Sequence, residues 1–273
     1  CHRSCCSSRT VTAMYRPLLI ALLLALAPPE SAAETAAEKG LALFTESDAR
    51  DRGWGDGRAD LEMLLTNAQG EESRRSLRIQ SLEVEGDGDK TLTVFDSPRD
   101  IKGTALLSYT HALTPDDQWL YLPALKRVKR IASANKSGPF VGSEFAYEDL
   151  TSQEVEKFTY AYLRDDAIDG RPAWVVEARP AYANSGYTRE IIWLDQAMYQ
   201  PLRVEYFDRR DAPLKVLDFS GHQQYLGRYW RPARMVMTNL QTGKRTALTW
   251  SNYRFRTGLT ASDFDQNTLK RAR

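Results

Sequence analysis

From Ala59 onward the chain repeats one local pattern, a short two-periodic run closed by a tight polar turn, and few folds accommodate it. The runs ADLEMLLTN, RRSLRIQSLEVE, KTLTVFD, ALLSYTHA, DQWLYLP and RVKRIA are broken by NAQGEE, EGDGDK and SPRDIKG. After residue 155 come EKFTYAYLRD, PAWVVEARP, TREIIWLD, PLRVEYFD, PLKVLDF, RYWRPARMVMTN and RTALTWSNYRF, with turns at AIDGR, RRDA and QTGKR. Alternation of apolar and polar residues is the mark of a half-buried strand. Tight turns at intervals of about ten residues join such strands antiparallel, without the helical crossovers of a parallel sheet. The pattern predicts a mainly β chain of the α+β type, a strongly curved sheet that is either a barrel or an open half-barrel. No low-complexity linker divides the two series, so 34–273 is expected to form a single domain.

The faces of these strands differ. Leu61, Met63 and Leu65 share a parity, as do Leu202, Val204 and Tyr206, Met235 and Met237, and Leu248 and Trp250. Glu62, Arg203, Glu205, Arg234 and Thr249 take the other. A sheet with one apolar face needs cover, from side chains, helices or a ligand. Two covers are available. One is an amphipathic helix in AAEKGLALFTESDARDRG, with Leu41, Phe44 and Ala49 at helical spacing and a stop at Gly53. The other is the region 138–150. ASDFDQNTLKR reads as a closing helical turn.

Leu61, Met63, Leu65, Val204, Tyr206, Met235, Met237 and Trp250 are therefore candidate lining for an elongated apolar ligand. Unbranched thioethers adapt to irregular guests. The same residues also suit an ordinary filled core, and the sequence leaves both readings open.

The N-terminus reads as an address. Cys1 to Ala13 precede the first methionine, Met14, and are expected to be an upstream segment outside the folded protein. Residues 14–33 combine Arg16, an apolar run at 18–27, and Ser31 and Ala33 at the −3 and −1 positions of a cleavage site. That run is too short to span a bilayer of roughly 30 Å as a helix, so a cleaved export signal is expected. Cys1, Cys5 and Cys6 all lie before Met14, which leaves the remainder without a disulfide, a thiolate or a lipidation cysteine. The product is expected to be soluble after export. Without Arg3, Arg9, Arg16 and Glu30 there remain 34 basic and 35 acidic residues, too even a balance for a nucleic-acid binder.

Catalytic signals are weak. His111 and His222 have no metal-type spacing, and no GxSxG, HExxH, P-loop or strand-linked GxGxxG occurs. GDGD at 86–89 lacks the spacing and closing glutamate of a calcium loop and reads as a hairpin turn. Asp116–Asp117 and Asp165–Asp166 sit in turns, where aspartate caps backbone groups. Neither an enzymatic role nor a cofactor is expected.

One stretch concentrates charge. In 120–150, LYLPALKRVKRIASANKSGPFVGSEFAYEDL, Lys126, Arg127, Lys129, Arg130 and Lys136 follow an apolar strand with no acid among them. Such a run can be a solvated hairpin whose edge lysines discourage aggregation. It can also dock an anionic partner, phospholipid head groups or an acidic protein surface. In KRVKRIA both parities carry charge, so a strand here would not cross the centre of the core.

SPRDIKGTALLSYTH, WLYLPALKRVKRIASANKSGPFVGSEFAYEDL and the hairpin IDGRPAWVVEARP resemble the bacterial outer-membrane lipoprotein-sorting protein family, whose members are LolA-like periplasmic carriers. The resemblance runs over nearly all of 34–273. It implies an unclosed antiparallel β-barrel covered by a few helices, with a hydrophobic cavity for the acyl chains of a lipid or an acylated lipoprotein. It also implies a periplasmic location and company with an inner-membrane lipid exporter of the RND (MMPL) type. The family's cavity arginine and lid contacts have no residue-by-residue counterpart in these motifs. A non-carrier scaffold of an export complex, with a filled core, is the alternative.

Overall fold

The computed structural model describes residues 34–271, together with His2. The expected upstream segment, His2 apart, and the export signal fall outside the described residues. Helix α1 (Ala36–Asp51) opens on a capping box: the Glu38 amide donates to Thr35 Oγ1 at 3.2 Å and the Thr35 amide to Glu38 Oε2 at 2.9 Å. Strands follow as β1 (Asp56–Thr66), β2 (Glu72–Leu82), β3 (Lys90–Ser97), β4 (Ala105–Tyr109), β5 (Asp117–Leu122) and β6 (Arg127–Arg130). After a long connection come β7 (Phe158–Ile168), β8 (Arg171–Pro180), β9 (Tyr187–Asp195), β10 (Pro201–Asp208) and β11 (Pro213–Ser220). The chain closes with β12 (Gln223–Tyr225), β13 (Tyr229–Arg231), β14 (Arg234–Asn239), β15 (Arg245–Phe255) and the short helix α2 (Gln266–Leu269).

Thirteen of these strands form one sheet in the order β6-β5-β4-β3-β2-β1-β15-β14-β11-β10-β9-β8-β7. Every pairing in it is antiparallel. Two meanders are zipped together where β1 meets β15, with Leu61 opposite Trp250 and Met63 opposite Leu248. Strands β6 and β7 stand at the two ends of this order, so the sheet is a barrel left unclosed. This is the mainly β architecture that the turn pattern predicts, in the unclosed form that the family resemblance implies. Strands β12 and β13 pair only with each other, and Pro232 separates β13 from β14 where the sequence reads as one run.

Helix α1 covers the edge strand β7. Gly40 makes this possible: a Cβ there would sit 2.9 Å from the Tyr162 amide nitrogen and 3.0 Å from that of Ala161. The buried stripe is Gly40, Leu43 and Phe44, and Phe44 stacks on Tyr160 with ring centroids 4.4 Å apart. Leu41 and Ala49, expected on this stripe, are exposed. Close backbone approach at Gly40 sets the helix rotation, and hydropathy alone points about one residue away.

Two smaller clusters lie on the convex side. Leu92, Leu107 and Trp119 pack under Leu259, Phe264 and Leu269 of the C-terminal turns. Val175, Ile191, Trp193 and Leu202 form the other. Leu202 was expected to share a face with Val204, but the β10–β9 register shifts between Pro201 and Arg203 and sends it outward.

Candidate functional site

Cross-strand register carries the concave face from strand to strand. One rung runs Val176, Ile192, Val204, Leu217, Met237 and Thr246, from β8 to β15. The eight lining candidates all fall within this inner cluster. Leu61, Met63, Val204, Tyr206 and Met237 are buried, while Leu65, Met235 and Trp250 are partly buried against it.

The space in front of these residues is taken by the connection between β6 and β7. It enters the mouth of the half-barrel as a chain of short 3-10 turns. Phe140 and Phe145 are each 1% exposed, and the Phe140 ring lies 5.6 Å from that of Phe95. The segment's tip is strained, with Val141 at φ 47° followed by Gly142 at φ 77°. A β-branched residue in the left-handed region is unusual and costs on the order of 1–3 kcal/mol. The tip is held by Arg75, whose Nη1 donates to the Val141 carbonyl at 2.5 Å. Burial lowers the pKa of that guanidinium, partly offset by Asp100.

A second rung is polar, and it is where 138–150 is latched. Tyr160, Ala178, Glu190, Tyr206, Lys215 and Asn239 stand in register across β7, β8, β9, β10, β11 and β14. Lys215 Nζ donates to Asp149 Oδ2 at 2.5 Å and to the Glu144 carbonyl at 3.2 Å. Asn239 Nδ2 donates to Glu144 Oε2 at 2.7 Å, and the Glu144 amide donates to Thr246 Oγ1 at 3.0 Å. Tyr187 OH donates to Asp149 Oδ1 at 2.7 Å. Glu148 accepts from the Gly186 amide at 2.9 Å, Ser185 Oγ at 3.0 Å and Tyr182 OH at 3.2 Å. Each acid of the SEFAYED stretch thus has a seat on the sheet or its β8–β9 connection.

Glu190 differs from these acids. It is 7% exposed, and burial, reinforced by Asp149 and Glu148, pushes its pKa from 4.5 to about 8. It is therefore a neutral acid near pH 7. Burial also raises the pKa of Glu148, against the hydrogen bond from Gly186.

The basic run divides. Lys126, Arg127 and Lys129 are exposed and form no ion pair among the described residues, whereas Arg130 pairs with Asp117. Leu125 at the hairpin tip is 62% exposed. Lys136 is not part of this surface: it is 8% exposed and donates to the Asp116 carbonyl at 2.7 Å. Asp116 also pairs with Lys157, so the two lysines anchor the base of the connection. Beside the hairpin lies a cleft of about 460 Å³, lined by Leu120, Leu122, Ile131, Pro139 and Tyr147 with Lys129 at its edge.

His111 Nδ1 lies 2.7 Å from Asp87, and Gly88 of the GDGD turn packs so tightly that a Cβ would meet the Thr110 carbonyl carbon at 2.6 Å. Among the described residues no group of three or more His, Cys, Asp or Glu is placed to hold a metal ion. No described helix is long and apolar enough to cross a membrane. Sequence pattern marks Lys215 and Glu190 only faintly. Each shares the inward parity of its strand, with Leu217 and with Ile192 and Leu194 respectively.

An unclosed antiparallel β-barrel with few helices is the fold of the LolA-like class of β proteins. Its solved relatives place the chain within that class. An outer membrane lipoprotein-sorting protein domain from Vibrio parahaemolyticus is 58% identical, with a TM-score of 0.84, covering 86% of this chain and 99% of that one. A DUF1329 family protein from Desulfovibrio piger is 28% identical, with a TM-score of 0.81 and the same coverage. A LolA superfamily protein from Nitrosomonas europaea shares the fold at 17% identity and a TM-score of 0.67, over 84% of this chain and 98% of that one. A family model described as "-like: Uncharacterized protein" matches residues 87–271. No match is found among the curated proteins. The chain belongs to the outer-membrane lipoprotein-sorting protein family, and its fold is LolA-like.

Proposed function

We propose that the chain is a periplasmic carrier that takes the acyl chains of a lipid or an acylated lipoprotein onto its concave face once segment 138–150 withdraws. The observation that carries this reading is the nature of the cover. The apolar face built by β1, β10, β14 and β15 is closed by a segment held mainly through side-chain contacts and a strained tip, with no strand ladder to break. Removing acyl surface from water supplies about 25 cal/mol per Å², enough to compete with such a cover. The Vibrio relative is described as lipoprotein-sorting, which favours cargo of this kind. The exposed hairpin with Leu125, Lys126, Arg127 and Lys129 supports docking on the anionic surface of a membrane. An inner-membrane exporter of the RND (MMPL) type is the proposed source of cargo at that surface.

Phe140 and Phe145 fill the face in the closed form, and this favours the second reading, a scaffold with a permanent core. Organic extraction of the purified protein followed by mass spectrometry separates the two. Co-purified lipid, or uptake of a fluorescent fatty-acid probe that rises in Phe140→Ala, supports the carrier. A lipid-free protein that takes up no probe with or without the substitution leaves only the scaffold.

A further inference from the structure

The latch raises a question of chemistry, because it places one buried cation in the polar rung of a largely apolar face. Lys215 is 4% exposed, and its Nζ lies 5.0 Å from the Tyr187 ring centroid and 5.1 Å from that of Tyr206. In the closed protein its charge is met by Asp149 and by the Glu144 carbonyl, both on the segment that must leave. No carboxylate of the sheet accepts a hydrogen bond from it among the described residues. A cation covered by an apolar guest and left without a counter-ion is strongly disfavoured, so a face loaded with such a guest is complete only with a new anion at this point.

We propose that Lys215 receives the anionic group of a monoanionic amphiphile, and that Asp149 occupies that place in the closed protein as an internal substitute. The inference rests on the carrier reading and names the class of cargo. The closing segment has the chemistry of such a molecule: Phe140 and Phe145 supply the apolar body, and Asp149 supplies a carboxylate at the polar rung. Glu190 stands in the same rung two positions away, across Tyr206. In the closed protein burial, with Asp149 and Glu148 nearby, holds its pKa at about 8, so there the charge of Lys215 is left to Asp149. Tyr187, once freed from Asp149, offers a donor besides Lys215.

Equilibrium dialysis with radiolabelled oleate, oleyl alcohol and phosphatidylglycerol, against the wild type and Lys215→Met/Asp149→Asn, tests the proposal. The paired variant leaves no buried charge without a partner, so it is less destabilised than a single substitution at Lys215, which strands Asp149. Wild type should bind oleate or phosphatidylglycerol at least tenfold more tightly than oleyl alcohol. The paired variant should lose that preference while keeping its affinity for the alcohol. Asp149→Asn alone should bind the anion more tightly than wild type, since the internal competitor is weakened. Preference for oleate assigns a carboxylate, and preference for phosphatidylglycerol alone assigns a phosphate diester. Equal binding of oleate and the alcohol with no gain for phosphatidylglycerol, or a preference that survives in the paired variant, overturns the proposal and leaves the carrier reading intact. Binding of none of the three overturns both.

Discussion

Nζ of Lys215 and Oδ2 of Asp149 lie 2.5 Å apart and join strand β11 to a 3-10 turn (Tyr147–Leu150) that is 66 residues distant in the chain. Both side chains are almost dry, at 5% and 2% exposure. The Ala146 amide adds a third donor to Asp149 at 2.6 Å. A buried pair of this kind gains little over an apolar pair of the same shape, yet loss of one member is costly. In the carrier reading proposed above, release of this pair is the step that frees the segment from β11.

Asp149→Asn leaves Lys215 buried without its counter-ion and should cost about 3–5 kcal/mol of stability. Lys215→Met/Asp149→Asn should recover most of that loss, because neither charge remains. Urea unfolding of wild type, both single variants and the double variant closes the cycle. Strictly additive losses would show that the two side chains do not act on each other.

Glu190 predicts a pH dependence. Its folded pKa of about 8 stands above the ordinary 4.5, so between these values the unfolded chain ionises while the folded chain does not. Stability from this residue is fully present below about pH 4.5. It falls as pH rises, by on the order of 1.4 kcal/mol per unit, until about pH 8. Glu190→Gln should abolish that slope. Asp89, raised by burial to about 6, and Glu154, raised by burial and then Asp89 to about 7, have the same sign in both proteins and cancel in the difference. Parallel stability curves for wild type and Glu190→Gln from pH 5 to 8 would contradict this account.

Gly40→Ala sets packing against propensity. Alanine in a helix interior is favoured over glycine by about 1 kcal/mol. Here the new Cβ meets backbone atoms of Tyr162 and Ala161 at 2.9–3.1 Å, and strand β7 cannot yield as a side chain would. The net effect should be a loss of about 1–3 kcal/mol, as for other overpacked contacts. A rise in Tm would mean that α1 moves away from β7 easily.

Much of this architecture is legible in the sequence, and the exceptions have physical causes. Period-two alternation identifies the inward residues of β1, β10 and β14, since parity in a strand is a local property. Leu202 is misplaced because a register shift reverses parity in one step. On α1 the stripe turns on Gly40, a contact with a strand more than a hundred residues later that no local pattern reports. Lys136 reads with its basic neighbours by proximity in sequence, while the fold buries it against Asp116. The latch is the least legible part. Lys215 and Glu190 announce themselves only as charges on an inward parity, and their partners come from the 138–150 segment, whose path no periodicity encodes.

The hairpin gives a prediction about surfaces. Lys126 occupies the left-handed region at φ 49° and turns the chain at the tip beside the exposed Leu125, with Arg127 and Lys129 following. An apolar tip ringed by unpaired cations suits an anionic bilayer, where each basic residue contributes about 1 kcal/mol. The triple change Lys126→Glu, Arg127→Glu and Lys129→Glu should thus weaken binding to phosphatidylglycerol liposomes by about 3 kcal/mol or more, a factor of roughly 100. Arg130 is left in place, since an acid there would face Asp117 and disturb the strand. Wild-type binding should fall with added salt and be absent on neutral phosphatidylcholine, because surface charges are screened beyond about 10 Å at 0.1 M. The Tm of the variant should match that of wild type, as these side chains bear no packing. Equal co-sedimentation of wild type and the triple variant would return the run to a solvated edge whose lysines keep β6 from pairing with other chains.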